Sequence, residues 1–152
     1  MNEPNKNQPR RRHPAHPPPI EYQDRPTLLL VTICVRDRRP LLAHADIHEL
    51  LRRSWTIADR WLVGRYIIMP DHVHLFCSPA DRETRMMTWI EFWRAWCTRH
   101  WPRPEEKPIW QKDCWDTQLR RGESYRAKWD YVCNNAVKAG LVHDLEAWPY
   151  QG

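Results

Sequence analysis

The stretch "IIMPDHVHLFCSP", residues 67–79, decides how the chain is read. Pro70-Asp71 is a turn signal between two apolar runs, so the flanks read as the two strands of a hairpin. Side chains alternate faces along a strand, so His72 and His74 share one face while Val73 and Leu75 share the other. Two imidazoles on one face are half of a metal site, because neutral imidazole is a good ligand for many divalent cations. The competing reading is a pair of buried, hydrogen-bonded histidines that bind nothing.

Outward from the hairpin, apolar periods set the remaining elements. Leu28 to Val35 is β-branched and apolar and reads as a buried strand. From Asp46 to about Arg60, Ile47, Leu50, Leu51, Ile57 and Trp61 recur at helical spacing. "WLVGRYIIM" reads as a strand interrupted by Gly64. From Thr84 to about His100, Met86, Trp89, Ile90, Trp93 and Cys97 give a second helix, with core packing expected of its tryptophans. "IWQKDCWDTQLR" reads as extended with a bend, and a third helix opens at Gly122 and stops at Gly140. The order β-α-β-β-α-β-α predicts an α/β (α+β) domain: an antiparallel, ferredoxin-like sheet with helices packed on one face.

Residues 1–26 hold seven of the fourteen prolines and the run Arg10-Arg11-Arg12, with no helical or strand period. They are expected to form a basic, extended or disordered arm ahead of a single domain over 27–152. Such an arm either tracks phosphates or is a solvated tail. A net charge of +5 and a pI of about 9.1 favour a polyanionic partner. Five widely spaced cysteines, odd in number and without a CxxC pair, argue against a disulfide framework or a structural zinc site. The polar N-terminus is no signal peptide, and "LLLVTICV" is too short to span a bilayer. The expectation is a soluble cytoplasmic protein with no membrane partner.

The third helix supplies the rest of the chemistry. At 100° per residue, Tyr125, Trp129, Val132, Cys133 and Ala136 gather on one side as a core face. Ser124, Lys128, Tyr131 and Asn135 form a polar stripe on the other. A phenol is a weak nucleophile, its pKa being about 10. It attacks a phosphodiester when a metal withdraws charge from phosphorus. His72 and His74 give such a metal two ligands, the Asn135 carbonyl oxygen a third, and Lys128 can steady a phosphate.

"MPDHVHLF" followed by "YVCNNAVKAGLV" resembles the single-tyrosine HUH transposases of the IS-two-hundred type, and more narrowly the REP-associated tyrosine transposases. "VTICVRDRRPLL", "PIWQKDCWDTQLR" and "WPYQG" resemble family segments in the same order, over about residues 25–152. The resemblance implies an HUH-endonuclease fold and action on single-stranded or hairpin DNA. It implies Mg2+ or Mn2+ held by His72, His74 and Asn135, with Tyr131 as the nucleophile that forms a 5′-phosphotyrosine link and frees a 3′-OH. A second 3′-OH then reverses the link, as in transposition, and the work is expected at the bacterial nucleoid. Lys128, Arg120, Arg121, Arg10, Arg11 and Arg12 are expected to touch the DNA backbone.

Two positions depart from the family pattern: Ala136 stands where relatives usually carry proline, and Thr117 where they often carry histidine. A histidine-triad hydrolase is discounted because Phe76 occupies the position of the third histidine. A hairpin-binding protein that does not cut, and a metal-dependent nuclease that uses water, stay open as alternatives. So do monomer and homodimer.

Overall fold

The computed structural model describes His16, Pro19, Glu21, residues 27–120 and residues 123–152. The elements follow the expected order: β1 (Leu29–Cys34), α1 (Ala45–Ile57), β2 (Trp61–Ile68), β3 (His72–Pro79), α2 (Met86–Arg99), β4 (Trp115–Gln118) and α3 (Tyr125–Lys138), with short 3-10 turns at Arg36–Arg38 and Pro104–Glu106. The four strands form one antiparallel sheet in the order β2-β3-β1-β4. That is the arrangement of a ferredoxin-like β-α-β-β-α-β unit.

The expectation of helices on a single face needs correction, because the sheet is covered on both sides. Val31, Ile33, Val73, Leu75 and Cys77 point toward α1 and α2, where they meet Ile47, Leu51, Trp89 and Trp93. The alternate residues Leu30, Phe76 and Ile67 point the other way, toward Trp129, Val132, Cys133 and Ala136 of α3. The opposite parity of these two sets is what sends α3 to the second face. The helical period of α1 also ran too far. The helix ends at Ile57, which is exposed, Trp61 belongs to β2, and Trp55 fills the core instead.

Two close approaches position α3. The Phe76 and Tyr125 rings sit 4.4 Å apart, and the Tyr125 hydroxyl accepts a hydrogen bond from the Arg65 backbone N–H at 2.9 Å. A Cβ at Gly64 would come within 2.9 Å of that hydroxyl, so glycine lets the helix approach the irregular pairing between Val63 and Tyr66. Ser124 caps the helix by accepting from the Ala127 N–H at 3.2 Å, and Gly140, at φ 70°, stands two residues past its end.

The strand β4 is fixed from behind. Arg94, buried in α2, donates to the carbonyls of Gln111 at 2.8 Å and Lys112 at 3.1 Å. All five cysteines are free and buried. Among the described residues no helix is long and apolar enough to cross a membrane.

Candidate metal centre and tyrosine helix

The turn before β3 is held by three backbone hydrogen bonds: Val35 N–H to Asp71 O at 2.9 Å, Leu42 N–H to Pro70 O at 2.9 Å, and Met69 N–H to His72 O at 2.8 Å. That rigid turn aims the Asp71 carboxylate. One oxygen lies 2.6 Å from His72 Nδ1, and the other accepts from Arg38 Nε at 2.8 Å. Arg38 also donates to Cys34 Sγ at 2.9 Å. Burial opposes the Asp71 charge, but its hydrogen bond with His72 and the Arg38 guanidinium hold the carboxyl below its ordinary range. The bond to ionised Asp71 keeps a proton on His72 Nδ1 and leaves Nε2 bare.

His74 is anchored on its other side. Its Nδ1 lies 2.8 Å from Thr32 Oγ1, its cross-strand partner on β1. The two free nitrogens then meet, His72 Nε2 lying 3.1 Å from His74 Nε2 with the ring planes at 84°. Two nitrogens at right angles around a cation, each about 2.1 Å away, stand about 3.0 Å apart, so the pair fits a shared divalent ion. Without an ion, one Nε2–H donates to the other. Either arrangement is available because a hydroxyl both donates and accepts, so Thr32 serves both tautomers of His74.

Both imidazoles are kept neutral, which is the ligating form. Burial lowers the His72 pKa, with Asp71 opposing. Burial, followed by the neighbouring charges of His72 and Arg38, pushes His74 down to about 4. Asp71, Arg38 and Thr32 were not singled out from the sequence. Asp71 adjoins His72 but reads as part of the turn, and the other two are brought in by strand register and a chain reversal. At that reversal Asp37 and Arg38 both take positive φ, 58° and 55°, a costly conformation for residues with side chains.

The helix α3 lies on the same face as the histidine pair, since it packs on Phe76, two residues beyond His74. The stripe is disposed as the period predicts. Tyr131 is 62% exposed, Asn135 is exposed, and Trp129, Val132, Cys133 and Ala136 are buried beneath them. A shallow groove of about 350 Å³ runs along Glu123, Ser124, Ala127, Lys128 and Tyr131. Lys128 pairs loosely with Glu123 at 4.0 Å. Among the described residues, no hydrogen bond joins Tyr131 or Asn135 to the histidines. The structure thus couples the two histidines directly and carries the tyrosine row on the helix that packs on the same sheet face. Arg120 is exposed just past β4, whereas Arg10, Arg11, Arg12 and Arg121 lie outside the described residues.

A second cluster lies on the opposite side of β4. His16 bonds Asp113 at 2.6 Å through Nε2 and Asp116 through Nδ1, and the Cys114 thiol stands close by. Both ring nitrogens are taken by carboxylates, so the group acts as an ion-paired tether. Burial opposes the His16 charge, but the hydrogen bonds to Asp113 and Asp116 raise its pKa.

No protein-family model matches the chain. It is 28% identical over 94 residues to a Haemophilus influenzae protein carrying the name REP-associated tyrosine transposase, covering 55% of this chain and 53% of that one. It is 25% identical over 126 residues to the REP-associated tyrosine transposase of Escherichia coli, covering 78% of this chain and 72% of that one. The chain thus spans about half the length of the first relative and nearly three quarters of the second. A solved REP-associated tyrosine transposase bound to a REP hairpin superposes with a TM-score of 0.68 at 22% identity, covering 87% of this chain and 81% of that one. In sequence and in fold, the chain is similar to REP-associated tyrosine transposases, the resemblance its HVH strand and tyrosine helix carry.

Proposed function

We propose that the protein cleaves and rejoins single-stranded DNA beside a hairpin or palindromic repeat, through a covalent tyrosine–DNA intermediate, as a transposase of the REP-associated kind. One observation carries the reading: two Nε2 atoms 3.1 Å apart, each imidazole fixed through its Nδ1, on the sheet face that also receives the tyrosine helix. The names of the two relatives, and the REP hairpin bound by the fold neighbour, support DNA as the substrate. So does the basic balance of the chain.

His72 and His74 would hold a divalent cation, Mg2+ or Mn2+, with Asn135 completing the protein ligands. The ion supplies charge neutralisation at the phosphate during attack. Tyr131 Oη forms a bond to phosphorus as the phosphorus–O3′ bond breaks. The phenolic proton passes to solvent, and the departing 3′-oxygen takes up a proton. An incoming 3′-OH then displaces the tyrosine and restores the phosphodiester, so no external energy source is consumed. Lys128 and Arg120 neutralise flanking phosphates, and Arg121 and the arm residues Arg10, Arg11 and Arg12 extend that contact. The bacterial nucleoid is then the place of action.

Cleavage of labelled hairpin oligonucleotides with Mn2+, compared between wild type, Tyr131→Phe and His74→Ala, tests this. The proposal expects loss of cleavage in both variants. Cleavage that survives in Tyr131→Phe and fails in His74→Ala identifies a nuclease that uses water. Binding without cleavage in the wild type identifies a hairpin-binding protein.

A further inference from the structure

Nine of the ten tryptophans are buried or half-buried in the two cores. Trp115 is the exception, 49% exposed on the edge strand β4. Its place follows from register. Thr32 pairs with His74 on one side and with Trp115 on the other, and His74 pairs with Ile67. Directly paired residues share a face, so Ile67, His74, Thr32 and Trp115 form one row across the sheet. Two interstrand spacings, about 10 Å, separate Trp115 from His74 along that row.

The indole is held outward. The residues alternating with it, Cys114 and Asp116, face the opposite side: Cys114 is in the core there and Asp116 is bonded to His16. Arg94 anchors the segment leading into the strand. Among the described residues the Trp115 ring has no aromatic or hydrogen-bonding partner. Thr117, next on the same face, is exposed too, and Arg120 is exposed just beyond the strand. An exposed flat apolar ring on the last strand of the sheet is a surface that takes a nucleobase, and the exposed Arg120, five residues on, is a cation for a neighbouring phosphate.

We infer that Trp115 is a stacking platform for a nucleobase of single-stranded DNA, one or two nucleotides from the phosphate held at the histidine pair. The inference rests on the DNA reading above and deepens it. It assigns Trp115 to binding and leaves the chemistry to Tyr131.

The test is fluorescence anisotropy on a labelled hairpin with single-stranded flanks, in the Tyr131→Phe background so that no strand is cut. Adding Trp115→Ala should weaken binding roughly 10-fold, the loss of one stacked base, while Trp115→Phe should retain most of the affinity. A single abasic site is then moved along the flank. At one position the abasic oligonucleotide should bind the Trp and Ala proteins equally, because the base that stacked is gone. An unchanged affinity in Trp115→Ala overturns the inference, and so does a loss that no abasic position removes. If Trp115→Ala instead turns a dimer into a monomer in sedimentation and leaves DNA affinity intact, the ring covers a second copy and the inference fails. A protein that binds no single-stranded DNA at all overturns the DNA reading with it, whereas the abasic pattern in this background, with no cleavage by the protein that keeps Tyr131, overturns only the tyrosine chemistry.

Discussion

The histidine strand and the tyrosine helix lie on one face of one sheet, yet they are built to opposite standards. Each imidazole on β3 is bonded on both nitrogens, and His72 is only 7% exposed. On α3, Tyr131 is 62% exposed and Asn135 has no side-chain partner among the described residues. A cation site gains from being rigid before the ion arrives, because ligands already in place lose little freedom on binding. A nucleophile that must reach a phosphate inside a DNA strand gains nothing from being buried beforehand. On the proposed reading, the free protein would carry a finished metal half and an open nucleophile half, and DNA would join them.

The largest expected effect breaks the open half. Tyr131→Phe removes one exposed oxygen, so covalent DNA adduct should fall below detection on a denaturing gel while the melting transition stays within about 0.5 kcal/mol of wild type. A variant that still forms adduct would remove Tyr131 from the account. Next is the finished half. His74→Ala should abolish Mn2+ binding measured by calorimetry in the absence of DNA, and unchanged binding there would move the ion elsewhere.

Asp71→Asn is a graded probe of the same half, because it removes the charge that fixes the His72 tautomer. Mn2+ affinity should drop about 10–100-fold, and Arg38→Ala, one contact further out, should cost less. An Asp71→Asn protein that binds Mn2+ as tightly as wild type would show that the turn carboxylate is structural only.

The smallest effect is in pH. His74 titrates near 6.5 when unfolded and at about 4 when folded, chiefly through burial, so between those values the folded chain binds fewer protons. Its contribution to metal-free stability is complete above about pH 6.5 and is lost as the pH falls toward 4. His16 acts with the opposite sign, its folded pKa being raised. The difference between wild type and His74→Gln therefore isolates the effect, and thermal melts at pH 7 and pH 5 should show a smaller loss in the variant. An equal loss in both would place the acid sensitivity outside the pair.

Much of this was legible in the chain. Two periods carried it: the alternation that puts His72 and His74 together, and the 3.6-residue repeat that separates Tyr131 from Trp129, Val132 and Ala136. Both are local and survive in a single sequence. What stayed hidden depends on register or on a reversal of the chain. That Thr32 backs His74 requires the β1–β3 pairing, and that Trp115 shares their face requires β1–β4 as well. Arg38 reaches Asp71 only because two residues take positive φ, which no glycine announces. The placement of α3 against Phe76, opposite the other helices, follows from the parity of one strand residue that an apolar run does not display.

The most direct measurement locates the DNA on the protein. After reaction with Mn2+ and a hairpin oligonucleotide, nuclease trimming and trypsin digestion, residues 129–138 form one peptide bounded by Lys128 and Lys138, with Tyr131 its sole tyrosine. The account predicts that this peptide carries the added nucleotide mass, and that it carries none when Mn2+ is omitted or His74 is replaced by alanine. Nucleotide mass on the peptide containing Tyr125, or cleaved DNA with no modified peptide, would contradict it.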